Sequence, residues 1–164
     1  RTCLSEISAE TGAAAFLFVR AGDEALCVEA NFGAFLLPTL SSGIGGRVPL
    51  GLGPGSMAIL AGLGESEAEA ILARNAPRLR LSATRTLETL YAQVKSARCN
   101  GYAFDPGEIL AEVRGVAIGV VHHGNALPMA VTTASLASRL PEDRISETCG
   151  LMRKAVAQAL GARS

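Results

Sequence analysis

Residues 45–63 read GGRVPLGLGPGSMAILAGL, a glycine-rich loop that leads into a largely apolar run. The first eleven of these residues hold five glycines and two prolines. Glycine lets a backbone turn tightly and approach other groups, and proline is favoured at the start of a helix. The pattern predicts a short apolar helix at 56–63. The unpaired N–H groups at the start of this helix could bind an anion or a small carboxylate. The alternative interpretation is a buried turn that places an inner helix on a sheet.

The composition limits what the chain can bind. It has 164 residues, is 49% hydrophobic and 18% charged, and carries no net charge and no cluster of Lys or Arg. Proteins that hold nucleic acid usually present a basic surface, so we expect this segment not to bind DNA by itself. Two uncharged tracts, 30–46 and 48–64, are separated only by Arg47. They predict a subunit interface or an apolar pocket rather than a membrane span, since glycine and proline interrupt them.

The cysteines indicate a reducing compartment. Four of them, at positions 3, 27, 99 and 149, stand far apart and lack the spacing of a zinc site. We therefore expect buried, reduced thiols in a cytoplasmic protein. No signal peptide is recognised, and a chain that begins at Arg1 rather than Met leads us to expect a fragment of a longer protein.

Hydrophobic periodicity predicts an α+β fold. Tight turns join neighbouring strands, so the sheet should be mainly antiparallel, with helices gathered on its faces. Ser66 and Glu69 have the spacing of a capping box, and Gly101 suits a helix stop. The predicted helices cover 3–11, 56–63, 67–75, 84–99 and 141–160, and the predicted strands cover 13–19, 24–30, 35–40, a short stretch after 101, 116–121 and 127–134.

No set of residues has the arrangement of a catalytic centre. His122 and His123 are adjacent, so they would point to opposite faces of a strand and cannot easily share a metal. Asp105 and Glu108 are a candidate carboxylate pair, but a capped turn explains them equally well. Cys99 lies beside an arginine and is a candidate redox-sensing thiol. The alternative is that it is a structural thiol. The chain is therefore predicted not to be an enzyme and to need no cofactor or metal.

Several blocks together resemble the C-terminal effector-binding domain of IclR-type bacterial transcriptional regulators. The resemblance covers nearly the whole chain, and it rests on the order and spacing of the blocks rather than on any single motif. The blocks are 4–18, with Glu10-Thr-Gly12 before the first strand, Arg47-Val-Pro-Leu50, 53–63, 86–98 closing on Gly101-Tyr-Ala103, 115–121, 130–139 and the final Ala159-Leu-Gly161.

The resemblance implies a GAF-like fold with an antiparallel sheet of about six strands. It also implies a small effector, often an organic or aromatic acid, held between the sheet and the glycine loop. It further implies dimers or tetramers that form partly through this domain. It also implies a winged helix-turn-helix domain upstream, which is absent from residues 1–164. DNA would be contacted only through that upstream domain.

The resemblance also assigns a ligand site. The family uses backbone amides of the loop that opens the apolar helix, here Pro54, Gly55 and Ser56, of which Pro54 has no N–H to give. An acidic residue is retained as Asp105. The buried strand starts with Gly115 where the family often has a small polar residue. Of the two hydroxyl positions on the last strand, Thr132 matches and Ala134 does not.

These departures predict a roomier and less polar pocket, and hence a larger or more apolar acid. Two other functions stay open. The first is an oligomerisation module with an occluded pocket. The second is redox sensing through Cys99 or Cys27.

Overall fold

The computed structural model describes residues 2–33, 43–121 and 127–161. Within them, a helix and a hairpin come first, three helices follow the glycine loop, and a second hairpin and a long helix close the chain. The helices are α1 (Cys3–Thr11), α2 (Pro54–Ala61), α3 (Glu65–Asn75), α4 (Leu87–Asn100) and α5 (Ile145–Gly161), and the strands are β1 (Ala14–Ala21), β2 (Glu24–Asn31), β3 (Arg47–Pro49), β4 (Ala103–Asp105), β5 (Val113–Val120) and β6 (Met129–Leu136).

The strands form one six-stranded antiparallel sheet in the order β3-β2-β1-β6-β5-β4. The predicted α+β class and the predicted number of strands are confirmed. Because side chains alternate along a strand, the sheet has two faces with different coverings. Phe16, Thr132 and Ala134 belong to one face, and Ala15 and Thr133 belong to the other.

Helices α1 and α5 cover the second face. α5 has the apolar stripe that its sequence predicts, with Ile145, Cys149 and Met152 buried. They pack with Val116 and Val131 of the sheet in one apolar cluster. This burial holds the long helix in place, since an isolated helix gains little stability from propensity alone.

Helix α2 covers the first face, and α3 and α4 pack around it. Every residue from Gly55 to Leu60 is buried, so α2 has no solvent face. It lies against β5 and β6 on the sheet and against α4 on its other side. An eight-residue helix surrounded in this way is fixed by its neighbours, and its first turn is held beside the sheet.

Strand β3 was not predicted from the sequence. The predicted strand at 35–40 lies outside the described residues, and the observed β3 is Arg47–Pro49, which we had assigned to the glycine loop. Val48 pairs with Ala25 of β2 and is buried. β3 is an edge strand, where a proline at the end costs no inner hydrogen bond. Because glycine-rich segments flank this strand on both sides, sequence analysis did not predict it.

Helix starts were predicted less accurately than helix bodies. The capping box at Ser66 is wrong, because α3 begins at Glu65 after Gly64 and has no side-chain cap. The box that does form is at Thr86, whose hydroxyl accepts the N–H of Thr89 at 3.2 Å. α5 begins at Ile145 rather than 141, since residues 142–144 form a single 3-10 turn.

Candidate functional site

An apolar cavity of about 70 Å³ lies between the start of α2 and the first face of the sheet. Helix, loop and strands all contribute to its wall. The lining residues are Phe16, Phe18, Val48, Leu52, Gly53, Pro54, Gly55, Ser56, Asp105, Ile109, Leu110, Val113, Gly115, Thr132, Thr133 and Ala134. All seven residues assigned to the ligand site from the sequence are among them.

The glycine loop fixes how α2 begins. Gly53 precedes the helix with φ of 89°, a conformation that side chains rarely adopt. The Ser56 hydroxyl accepts the N–H of Gly51 at 3.0 Å and lies 2.9 Å from the carbonyl oxygen of Leu52, to which it can donate. The Ser56 side chain is therefore committed to holding the loop closed, and only its backbone N–H is available to a ligand.

Two backbone donors remain at the start of α2. The first intrahelical bond runs from Met57 N–H to Gly53 at 3.1 Å. Among the described residues, no acceptor pairs with the N–H of Gly55 or of Ser56. Pro54 occupies the first helical position, where a missing N–H removes no helical bond. The start of α2 thus presents two donors and the positive end of the helix dipole beside an apolar cavity.

Strand pairing places three of the predicted site residues, Asp105, Gly115 and Ala134, side by side across the sheet. Asp105 of β4 is the partner of Gly115 of β5, and Gly115 is the partner of Ala134 of β6. Thr132 lies two residues along β6 on the same face, and its hydroxyl donates to the Val116 carbonyl at 3.2 Å. The hydroxyl oxygen can still accept from a ligand.

The expected extra room beside Gly115 is not there. A Cβ placed on Gly115 would lie 2.7 Å from Pro54 Cγ, so the proline ring fills the space that a side chain at 115 would take. The two departures from the family pattern therefore compensate each other. At Gly115 the Pro54 ring takes up the extra room that was expected there, and most residues of the cavity wall are apolar.

Asp105 closes a turn and also faces a second cavity. Its Oδ1 accepts the N–H of Gly107 at 2.9 Å and of Glu108 at 2.8 Å, which is the capped turn considered from the sequence. Beyond it, a groove of about 300 Å³ runs between α4 and β4. Arg85 lines the groove, donates to the Gly51 carbonyl at 2.9 Å, and lies 3.9 Å from the Glu108 carboxylate. Burial lowers the pKa of the Arg85 guanidinium.

The other candidates do not line the apolar cavity. Cys99 is exposed on α4, and Cys27 is buried in β2. Burial raises the pKa of the Cys149 and Cys3 thiols, which keeps both protonated and weakly nucleophilic at neutral pH. His122 and His123 lie outside the described residues.

Sequence analysis did not place the two phenylalanines of β1 in the cavity wall. Phe16 and Phe18 of β1 were interpreted only as parts of a buried strand, because core and pocket residues have the same composition. Their position relative to the site follows from the pairing of β1 with β6, in which Phe16 is the partner of Thr132. Predicting that pairing would have placed both phenylalanines in the site.

The described part of the chain lacks two further features. No group of three or more His, Cys, Asp or Glu residues is placed to hold a metal ion. No described helix is both long enough and apolar enough to cross a membrane.

The fold and cavity define a class of protein: an α+β domain that encloses a small apolar site between a curled antiparallel sheet and a helix start. The family described as "Bacterial transcriptional regulator IclR C-terminal" matches residues 1–160. The chain therefore belongs to this family, as its sequence blocks predicted.

Solved structures of IclR-type proteins have the same fold. A Thermotoga maritima IclR is 20% identical with a TM-score of 0.81, and the match covers 98% of this chain and 65% of that one. A C-terminal domain of a Vibrio cholerae regulator is 26% identical with a TM-score of 0.76, over 94% and 90% of the two chains. An IclR family regulator from Brucella abortus is 19% identical with a TM-score of 0.76, over 98% and 60%. No curated protein sequence matches the chain.

Proposed function

We propose that this domain is the effector-binding part of an IclR-type transcriptional regulator and that its effector is a small organic acid. The observation that carries the proposal is the pair of unshared N–H groups of Gly55 and Ser56 at the edge of an apolar cavity. A carboxylate accepts from such donors and is favoured by the helix dipole. The apolar part of the acid then contacts the cavity wall.

The size of the cavity favours a short acid. An engineered apolar cavity of about 150 Å³ binds benzene, whereas this one has about 70 Å³. An aromatic acid, the larger effector considered from the sequence, requires the wall to move. The Thr132 hydroxyl accepts a hydrogen bond from an acid that carries a donor, such as a hydroxy acid.

The effector acts by changing the arrangement of domains. A ligand shifts an equilibrium only by as much as it binds one state better than the other. In this proposal the domain forms dimers or tetramers in the cytoplasm, and a DNA-binding helix-turn-helix domain precedes it in the full regulator. Acid binding then changes the spacing of the DNA-binding domains. The domain senses and does not catalyse.

A thermal-shift series tests the proposal. The probes are straight-chain acids from acetate to octanoate, pyruvate, lactate and benzoate. A ligand at about 100 times its dissociation constant adds roughly 2.7 kcal/mol, which raises the melting temperature of a domain of this size by about 5–11 °C. Stabilisation by acids but not by the matching amides supports the proposal. Equal stabilisation by acids and amides contradicts it.

A second candidate is a module for oligomerisation only. The contact between Pro54 and Gly115 favours it, because this contact narrows the cavity. The same thermal-shift series separates the two candidates, since an occluded module gains stability from none of the acids. Redox sensing predicts instead that mild peroxide oxidises Cys99 or Cys27, which mass spectrometry detects.

A further inference from the structure

Two cavities meet at the start of α2. The apolar cavity of about 70 Å³ and the α4/β4 groove of about 300 Å³ share four lining residues, which are Gly53, Pro54, Asp105 and Ile109. These four residues therefore form the partition between a small compartment and a large one. A substitution that removes part of the partition therefore lengthens the space available to a ligand in the small compartment.

Pro54 is the part of this partition that the sheet holds in place. Its ring contacts β5 at Gly115, in space that a side chain would otherwise fill. A proline ring has a fixed φ and little freedom to swing aside. Of the other partition residues, Gly53 has no side chain, Asp105 is fixed by its two hydrogen bonds in the turn, and Ile109 is half-buried.

We propose that the Pro54 ring, seated against Gly115, is the specificity-determining wall that limits the length of the acid effector. This inference rests on the proposed function. With the ring present, a straight-chain acid fills the apolar cavity and stops at the ring. With the ring removed, the chain continues into the α4/β4 groove. Gly115 is required because a Cβ at this position would displace the ring.

The experiment compares chain-length profiles. Isothermal titration measures the affinities of acetate, propanoate, butanoate, hexanoate and octanoate for the wild type, Pro54→Ala, Gly115→Ala and the double variant. We expect the wild type to prefer acids of two to four carbons. Pro54→Ala should raise the affinity for hexanoate relative to propanoate at least tenfold. The double variant should lose most of this gain, because the added methyl group occupies part of the vacated space.

Pro54→Ala also adds an N–H donor, and the chain-length profile separates this effect from the loss of the ring. A new donor to the carboxylate changes the affinity for every acid by the same factor, whereas loss of the wall changes only the longer ones. Pro77→Ala is the matched control, since Pro77 is exposed and lines neither cavity. It should leave the profile unchanged. If Pro54→Ala does not fold, Pro54→Ser removes the same ring and keeps a residue suited to a helix start.

The failures are distinguishable. A uniform change across all chain lengths, or an unchanged profile in Pro54→Ala, overturns the role of the ring and leaves the proposed acid site intact. A wild type that already binds octanoate as well as propanoate also overturns it. Absence of acid binding in the wild type and in every variant overturns the proposed function, and this inference with it.

Discussion

The two faces of the sheet are covered in different ways. On one face, α5 lays a stripe of large side chains directly on the strands, and Met152 is fully buried there. On the other face, α2 begins with Pro54 and Gly55 beside a cavity that its own first turn helps to line. The α1/α5 face therefore resembles an ordinary core, whereas the α2 face combines a core with a binding site. We expect substitutions on the α1/α5 face to change stability and substitutions on the α2 face to change binding.

The largest expected effect is on the α1/α5 face. Met152→Ala removes a fully buried side chain from α5, and such deletions cost about 2–5 kcal/mol. Urea denaturation measures the loss, and acid affinity measured where the variant is folded should stay unchanged. Gln158→Ala, exposed on the same helix, is the control and should cost less than about 0.5 kcal/mol. A loss of acid affinity in Met152→Ala would break the distinction between the faces.

The next prediction compares two alanines that lie on opposite faces of the sheet. Ala15 is fully buried on the α1/α5 side, and Ala134 is half-buried at the cavity. Ala15→Val overpacks a filled core and should cost about 1–3 kcal/mol. Ala134→Val places its methyl groups in the cavity, so it should cost less than about 1 kcal/mol and lower acid affinity at least tenfold. Urea denaturation and titration calorimetry measure the two quantities, and equal stability losses with equal binding would contradict the assignment.

Part of the site was predictable because strand alternation is a local property. Thr132 and Ala134 are two residues apart on β6, so they share a face. The glycine-rich loop, in turn, predicted that a helix begins near the start of α2. The acidic residue Asp105 was found through the resemblance to the family. The assignment of these residues to a ligand site came from the resemblance to the family, and strand alternation by itself places only Thr132 and Ala134 on a common face.

The rest depended on contacts between distant parts of the chain. Pro54 and Gly115 are 61 residues apart, and nothing in either local sequence indicates that a proline ring fills the space above a glycine. Sequence analysis therefore did not foresee that the Pro54 ring occupies the space beside Gly115. Phe16 was assigned to the core for the same reason, since its pairing with Thr132 joins strands that are far apart in sequence.

A smaller effect compares two neighbouring hydroxyl groups. Thr132 and Thr133 point to opposite faces, yet both donate to the Val116 carbonyl, at 3.2 and 3.3 Å. Replacing either by valine removes one of these two side-chain donors, so each change should cost about 0.5–1.5 kcal/mol. Only Thr132→Val should lower the affinity for lactate, because only Thr132 has its hydroxyl on the cavity face. A similar loss of affinity in Thr133→Val would contradict the site.

The smallest effect concerns charge, and it again separates the faces. The α2 side is tied to the β1–β2 hairpin by ion pairs from α3, including a two-fold contact in which Arg74 donates to the Asp23 carboxylate at 2.8 and 3.0 Å. On the other face, the Arg144–Glu147 pair spans only one turn at the start of α5. The Arg74–Asp23 pair thus joins elements that are far apart in the sequence, whereas the Arg144–Glu147 pair joins residues of a single turn.

The hydrogen bonds from Arg74 hold the pKa of the Asp23 carboxyl below its ordinary value of 3.8. A carboxyl with a lowered pKa in the folded state contributes stability above its ordinary pKa, and this contribution disappears as the pH falls through the folded value. Asp23→Asn removes the charge and should lower the melting temperature by only about 1–2 °C at pH 7, since the pair is exposed to solvent. The difference from the wild type should shrink towards zero below pH 3.8. Melting curves recorded from pH 7 to pH 3 measure it, and a difference that stays constant over this range would show that Asp23 acts through packing rather than through its charge.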